Sequence, residues 1–370
     1  MEREYSPDLL FIELTKACDY SCVHCRASSI TEVSPEEMKG YEVKKLLENL
    51  SSSMDRMPHI IFTGGNPLLH PDFASILLDA SRLRLSFSVS PSAGDFMTVD
   101  QIFQMEEYGV SSISLSLDGI PSTHDHIRNR RGSFKKTVEL ASLIKSEGIK
   151  TQINTTVMER NIMDLPFIFH TLRELGINIW ELFFLIKTGR GISEEPISSQ
   201  EMEDVLKYLY MLKVAGCSIR TVEAPEISRI EIETIRKGYM EGGTLLNALA
   251  VETRKLTGID IFDLEIPEQY NPRRRIRTLF VSSTGEVSVS GLFNLSIGNV
   301  REQNLKDIIR ASHVLKEISD TGRLMGKCAS CEFNGVCGGS RARAYVETGN
   351  FLESDPSCAY LPPNTIKEIR

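Results

Sequence analysis

The sequence lacks any apolar run that approaches the roughly 18 residues a membrane-spanning helix requires. Its first residues, Met1 to Tyr5, also lack the basic-then-apolar layout of a secretory signal peptide. We therefore expect a cytoplasmic protein without a membrane span. Positive charge is not in excess either, because 42 Lys and Arg face 50 Asp and Glu. The net charge of −8 disfavours binding to phosphate backbones, so nucleic acid is not an expected partner.

The composition is that of a folded globular protein, with 41% hydrophobic and 25% charged residues. A chain of 370 residues exceeds what one compact core usually holds, which favours one large and one smaller domain. Of its eight cysteines, seven form two groups in the sequence: Cys18, Cys22 and Cys25 near the start, and Cys328, Cys331, Cys337 and Cys358 near the end. In a reducing compartment, such grouping favours metal binding or redox chemistry over disulfides.

Short β-branched segments alternate with amphipathic helical stretches over the first part of the chain, which predicts an α/β fold with a parallel sheet. The predicted strands are Leu9–Leu14, His59–Phe62, Ser86–Val89, Ser112–Leu117, Thr151–Val157 and Ile179–Leu185, with a possible edge strand at Cys217–Val222. Six units are too few to close an eight-stranded barrel, so we expect an open, partial (β/α)6 barrel with its chemistry at the C-terminal strand ends. Ser34 followed by Pro35 predicts the start of the first helix, whose apolar face includes Leu46, Leu47 and Leu50.

The alternation of predicted strands and helices stops after residue 222, which suggests that the chain is divided into three parts. Residues 1–222 form the predicted barrel, 223–277 a helical bridge or insert, and 278–370 a smaller cysteine-rich domain. The last part begins with a predicted hairpin, Thr278–Ser282 and Val287–Ser290, followed by a helix near Leu305–Ile318.

The first cysteine group, spaced C-x3-C-x2-C, follows directly on the first predicted strand. Three thiolates on one loop can hold a [4Fe–4S] cube and leave one iron open, and an open iron can bind a small chelating ligand. The alternative is a structural zinc site in which His24 is the fourth ligand.

Two further motifs accompany this loop. Thr63-Gly64-Gly65-Asn66-Pro67 ends the second predicted strand, and Ser114-Leu115-Ser116-Leu117-Asp118-Gly119 on the fourth is followed by His124, Asp125 and Arg128. Together with C-x3-C-x2-C, they resemble the radical S-adenosylmethionine (SAM) superfamily, with its GGEP loop and SxSxDG…HDxxR stretch. Asn66 stands where the family usually has Glu or Asp.

The resemblance implies that the open iron chelates SAM and that reduction of the cluster cleaves SAM to a 5′-deoxyadenosyl radical, which abstracts hydrogen from the substrate. It implies no catalytic residue beyond the cluster and SAM, and a reductant such as ferredoxin or flavodoxin. The implied cofactor-binding residues are Gly64, Gly65, Asn66, Pro67, Ser116, Arg128 and Asn154. The alternatives are ordinary turn, strand and surface positions. For the loop Lys187–Gly191 we favour a substrate-facing position over a plain loop.

The four C-terminal cysteines resemble the SPASM (or twitch) domain of radical SAM enzymes, which normally holds two auxiliary clusters. Ser290 replaces the hairpin cysteine, and the one expected shortly after Cys337 falls on Ser340 or Arg341. We therefore expect one auxiliary [4Fe–4S] cluster on the four cysteines, which passes electrons or supports the domain. A four-cysteine zinc module is the alternative.

Four short sequence segments resemble the branch of the superfamily that contains the siroheme-dependent heme-synthesis enzymes and their uncharacterised sister families. They are Gln152–Thr156, Thr188–Gly191, Glu223–Pro225 and Cys337–Tyr345. The resemblance implies a small-molecule substrate such as an iron tetrapyrrole, modified by oxidative decarboxylation or side-chain removal. Arg273, Arg274, Arg275 and Arg277 either grip its propionates or form a solvated charge run. The alternatives are a peptide maturase that forms thioether or carbon–carbon links, and a zinc or iron–sulfur scaffold without catalysis.

Overall fold

The computed structural model describes residues 5–269, 276–293 and 295–363. Its sheet has ten strands in this part of the chain. They are β1 (Leu9–Thr15), β2 (His59–Gly64), β3 (Phe87–Val89), β4 (Ile113–Ser116), β5 (Thr151–Val157), β6 (Ile179–Phe184), β7 (Ser218–Val222), β8 (Thr278–Val281), β9 (Glu286–Ser288) and β10 (Gly298–Asn299).

Helices follow most of these strands. They are α1 (Gly40–Ser53), α2 (Phe73–Arg82), α3 (Val99–Glu107), α4 (Pro121–Ile127), α5 (Ser133–Ser146), α6 (Leu165–Leu175), α7 (Ser199–Val214), α8 (Ile227–Lys237), α9 (Thr244–Thr257), α10 (Leu305–Ala311), α11 (His313–Ser319), α12 (Gly326–Ala329) and α13 (Arg341–Thr348). No helix in the described ranges is long and apolar enough to cross a bilayer.

The strands β1 to β7 lie side by side in chain order, and every neighbouring pair among them is parallel. Each parallel connection needs a crossover, which the helices provide. The sheet has free ends at β7 and β10, so it is open. The predicted α/β class, with a partial barrel of parallel strands, is confirmed.

The predicted C-terminal hairpin forms as β8 and β9, and β8 also joins the large sheet. It pairs in parallel with β1, from Leu9 opposite Thr278 to Ile12 opposite Val281. The sheet thus runs on from the barrel strands into the C-terminal part of the chain. The boundaries at residues 222 and 277 remain a prediction.

Two helix predictions need correction. The first helix begins at Gly40, not after Ser34, because the buried Glu37 carboxylate accepts a hydrogen bond from the Lys16 amide and holds residues 34–39 against the end of β1. The helix predicted near 305–318 is two helices. Ser312 separates them, and its hydroxyl accepts from the Leu315 amide to cap the second.

The apolar core lies between the sheet and the surrounding helices. In β5, Thr151, Ile153, Thr155 and Val157 are buried on the core side, while Gln152 and the other alternate residues line an inner cavity. The same alternation turns small and polar side chains of β3 and β4 toward the concave face, whereas other strands contribute larger apolar ones, such as Phe11, Ile61 and Phe183. This face positions the candidate site.

Candidate functional site

The concave face of the sheet encloses one large cavity of about 2040 Å³. It is roughly twice the upper end of ordinary ligand pockets, about 1,000 Å³. The thiols of Cys18, Cys22 and Cys25 line it, on the loop that follows β1. Such a volume has room for two small molecules beside the cysteine loop.

Burial shapes the chemistry of these thiols. It raises the pKa of Cys18 to about 12 and also raises the pKa of Cys22, whose shift is opposed by the charge of Arg128. Without metal these two groups are therefore neutral thiols at neutral pH. Binding of an iron cluster requires their deprotonation, because metals bind the thiolate form.

The three cysteines of this loop can serve as ligands of a cluster that leaves one iron open. Among the described residues, no three His, Cys, Asp or Glu side chains converge closely enough to share one metal ion. A cube presents its irons at separate corners, so its ligands only need to surround a common space. His24 also lines the cavity, and burial lowers its pKa to about 4. Its Nδ1 has no hydrogen-bond partner within the described ranges.

The loop Lys187–Gly191 holds the cysteine loop instead of facing a substrate, and none of its residues lines the cavity. The Arg190 side chain donates to the Cys22 carbonyl (Nε, 2.9 Å), the Ser29 carbonyl (Nη1, 2.9 Å) and the Ser29 hydroxyl (Nη2, 2.8 Å). Gly189 permits this approach, since a Cβ there would lie 2.3 Å from the Arg26 carbonyl oxygen. The substrate-facing prediction is wrong. The sequence singled out the segment Thr188–Gly191, but it gave no signal that Arg190 holds the cysteine loop.

The glycine loop after β2 lies directly against the cysteine loop. A Cβ on Gly65 would lie 2.3 Å from the Ala17 carbonyl oxygen, so the contact requires glycine. Gly64 and Gly65 line the cavity, whereas Asn66 and Pro67 do not. The Asn66 side chain is fully buried, and its Nδ2 donates to Asp19 Oδ1 at 3.0 Å. The structure thus places Asn66 behind the cavity wall.

Ser116 and Asn154 lie opposite each other in the β4–β5 register, and both line the cavity. The next position across β6 is Glu181, which the sequence analysis missed. Gln152 Nε2 donates both to Asn154 Oδ1 (2.8 Å) and to Glu181 Oε2 (3.0 Å). Burial raises the pKa of Glu181, against the charge of Arg220. These residues form a continuous polar surface on the cavity wall.

Arg128 also lines the cavity, but two of its nitrogens already have partners. Nη2 forms an ion pair with Asp118 Oδ2, and Nη1 donates to Cys22 Sγ at 3.6 Å. Burial opposes ionisation of Asp118, yet the charges of Arg128 and two histidines hold its pKa below the usual value. The buried Nε has no hydrogen-bond partner in the described ranges. Arg128 therefore contacts the cysteine loop and still has one donor for a ligand.

The four C-terminal cysteines line one small cavity of their own. Burial raises the pKa of Cys358 to about 12 and that of Cys337 well above its usual value, and both shifts are increased by Glu226. Gly339 lines both this cavity and the large one. Ser290 and Ser340 line the large cavity only. The four thiols are thus gathered around one space, separated from the large cavity by a wall that includes Gly339.

Residues 12–172 match the family model described as the Radical SAM superfamily. Over 359 residues the chain is 32% identical to the AdoMet-dependent heme synthase of Methanosarcina barkeri, covering 96% of this chain and 97% of that protein. It is 27% identical over 364 residues to the Fe-coproporphyrin III synthase of the same organism, covering 95% and 88% of the two chains.

Among solved structures, Streptococcus suis SuiB bound to precursor peptide SuiA has a similar fold, with a TM-score of 0.68 at 15% identity. The match covers 96% of this chain and 76% of SuiB. The identity over nearly the whole length of the heme synthase, together with the family match, shows that this chain belongs to the radical SAM superfamily and is an enzyme that uses SAM and a [4Fe–4S] cluster.

Proposed function

We propose that the protein modifies an iron tetrapyrrole, by oxidative decarboxylation or removal of a side chain. The observation that carries the proposal is the 32% identity to an AdoMet-dependent heme synthase across 96% of this chain. The cavity is compatible with such a substrate, because its volume of about 2040 Å³ leaves room beyond SAM.

We assign the cofactor contacts as follows. Cys18, Cys22 and Cys25 would hold the cluster, which with SAM supplies a radical that can abstract hydrogen. The backbone of Gly64 and Gly65 lies close enough to the cysteine loop to contact SAM bound there. Ser116, Asn154 and Arg128 offer hydroxyl, amide and guanidinium groups on the same cavity wall, although Arg128 has only Nε free of protein partners.

Carboxylates on the substrate require cationic partners. Lys316 and Arg323 line the cavity on and just after α11, although Arg323 also forms an ion pair with Glu317 at 3.0 Å. Arg277 lines it too, but it contacts Asp8 and lies over the Tyr5 ring at 5.5 Å. Arg273, Arg274 and Arg275 lie outside the described residues.

We also propose that Cys328, Cys331, Cys337 and Cys358 hold one auxiliary [4Fe–4S] cluster. With all four irons ligated by protein, it has no open site for substrate, so it passes electrons or supports the fold. Replacement of Cys328 by Ala should remove one cluster's iron while SAM cleavage continues at the first site. Loss of substrate binding alone, with turnover chemistry intact, would count against this role.

The first experiment is anaerobic reconstitution followed by counts of iron, sulfide and zinc per chain. Dithionite and SAM are then added, with or without iron coproporphyrin, and 5′-deoxyadenosine and the porphyrin products are measured. The proposal expects about eight irons, 5′-deoxyadenosine, and a porphyrin that has lost carbon dioxide or a side chain. About four irons with one zinc would make the C-terminal site structural. Zinc without iron would favour a scaffold without catalysis.

Peptide maturation is the second candidate. The fold of SuiB, solved with its precursor peptide, supports it only as a shared fold. The same assay bears on both candidates: a porphyrin product identifies the first, whereas SAM cleavage with no change in any iron or metal-free porphyrin counts against it and leaves the second. Ferredoxin or flavodoxin in place of dithionite tests the proposed reductant.

A further inference from the structure

Arg341, at the start of α13, is a buried arginine beside the C-terminal cysteines. It is only 6% exposed. Its Nη1 donates to the carbonyls of Phe351 (2.8 Å) and Glu353 (2.6 Å), and its Nε donates to the carbonyl of Gly339 (3.3 Å). Nη2 is directed at Cys328 Sγ, at 3.9 Å. Its oxygen partners are thus neutral carbonyls, and the remaining amino group meets a cysteine sulfur.

Three other inward-facing arginines have carboxylate partners in the described residues: Arg128 with Asp118, Arg229 with Glu203, and Arg343 with Asp355. Arg341 forms no such ion pair there. The Glu223 carboxyl accepts a hydrogen bond from the Ser340 hydroxyl, and burial raises the pKa of Glu223, which favours its neutral form. A buried charge is unfavourable unless an opposite charge accompanies it. The Cys328 sulfur contact indicates where that opposite charge should be.

We propose that Arg341 is the counter-charge of the cluster held by the four C-terminal cysteines and raises its reduction potential. The proposal rests on the auxiliary cluster proposed above. Reduction adds one electron to a centre that is already anionic through its thiolates. A nearby guanidinium stabilises the reduced form more than the oxidised form, and hydrogen bonds to cluster sulfurs act in the same direction.

The two cysteine sites differ in this respect. Each has an arginine that donates to one sulfur, Arg128 to Cys22 and Arg341 to Cys328. The Asp118 carboxylate neutralises Arg128, whereas carbonyl oxygens leave the charge of Arg341 intact. Arg341 therefore raises the potential of the C-terminal cluster, whereas the Asp118 carboxylate offsets the corresponding effect of Arg128 on the SAM-binding cluster.

The test is a redox titration of the reconstituted full-length protein, with both clusters followed by electron paramagnetic resonance. Arg341→Gln should shift the midpoint potential of the C-terminal cluster to more negative values and leave the SAM-binding cluster unchanged. Asp118→Asn should shift the SAM-binding cluster to more positive values. Arg254→Gln, on the exposed part of α9, is the control and should shift neither.

An Arg341→Gln protein with an intact second cluster and an unchanged potential would overturn the proposal. Weaker binding of iron coproporphyrin by that variant, without a potential shift, would instead make Arg341 a substrate contact. If the Gln variant does not retain its cluster, the Arg341→Lys variant is compared with it. Recovery of the iron content with the Lys charge supports the proposal, whereas an equal loss of iron in both variants refutes it. A wild-type protein with only one cluster refutes the auxiliary-cluster assignment itself.

Discussion

Arg190 provides the most direct test of how the cysteine loop is held. Its side chain makes three hydrogen bonds to Cys22 and Ser29, and none is a salt bridge within the described residues. At about 1 kcal/mol each they contribute about 3 kcal/mol, and a glutamine can replace one of them, so Arg190→Gln should lower the free energy of unfolding by about 2 kcal/mol. Urea unfolding of the metal-free protein measures this loss, provided the denaturant slope stays constant.

The matched control is Arg160→Gln. Arg160 is 47% exposed and reaches Glu194 at 3.5 Å. A surface pair of this kind contributes about 0–1 kcal/mol, so its loss should be small. After reconstitution, the Arg190 variant should also release iron from the first site during gel filtration, and the control should not. Equal unfolding free energies for Arg190→Gln and the wild type, with equal iron retention, would refute the reasoning.

Asn66→Asp should destabilise the fold by about 3 kcal/mol at pH 7, because it buries a carboxylate against Asp19. Asp19→Asn in the same chain should recover most of that loss. If the two substitutions instead change the free energy of unfolding in a strictly additive way, the contact between residues 19 and 66 is contradicted. Burial lowers the pKa of His124 to about 4 from an unfolded value of 6.5. Between these pH values the unfolded chain binds the extra proton, so stability falls as pH falls, by up to about 3 kcal/mol. His124→Gln should remove this slope in pH-dependent unfolding, whereas His126→Gln, at an exposed position, should keep it. Cys331→Ala should halve the iron content yet preserve 5′-deoxyadenosine formation; abolished SAM cleavage would contradict separate sites.

The sequence predicted the strands well, because the alternation of apolar and polar residues that marks a strand involves only neighbouring positions. The bounds of β5 match the prediction residue for residue. The start of α1 was mistaken because Ser34 and Pro35 provide a helix-start signal that a tertiary contact of Glu37 overrides. The pairing of β8 with β1 has no local signal at all, since the two strands are about 270 residues apart.

The sequence identified those residues of the candidate site that belong to short motifs. The cysteines, Gly64, Gly65, Ser116 and Asn154 line the cavities as short patterns suggested. Arg190, Glu181 and Arg341 were missed as contact residues because a charged residue in sequence looks the same whether it is solvated or buried. Only the fold brings Arg341 to Cys328 and Arg190 to Cys22. The position of Asn66 follows from its contact with Asp19, which likewise depends on tertiary structure.

The pairing of β8 with β1 also constrains how the chain acquires its fold. Leu10, Ile12 and Leu14 of β1 are completely buried, and one edge of that strand is covered only when residues 278–281 arrive. During synthesis, β1 therefore presents unpaired amides and carbonyls until most of the chain has left the ribosome. An uncovered edge of this kind invites pairing with other chains. A chain ending before residue 278 should consequently aggregate rather than yield an isolated SAM-binding half.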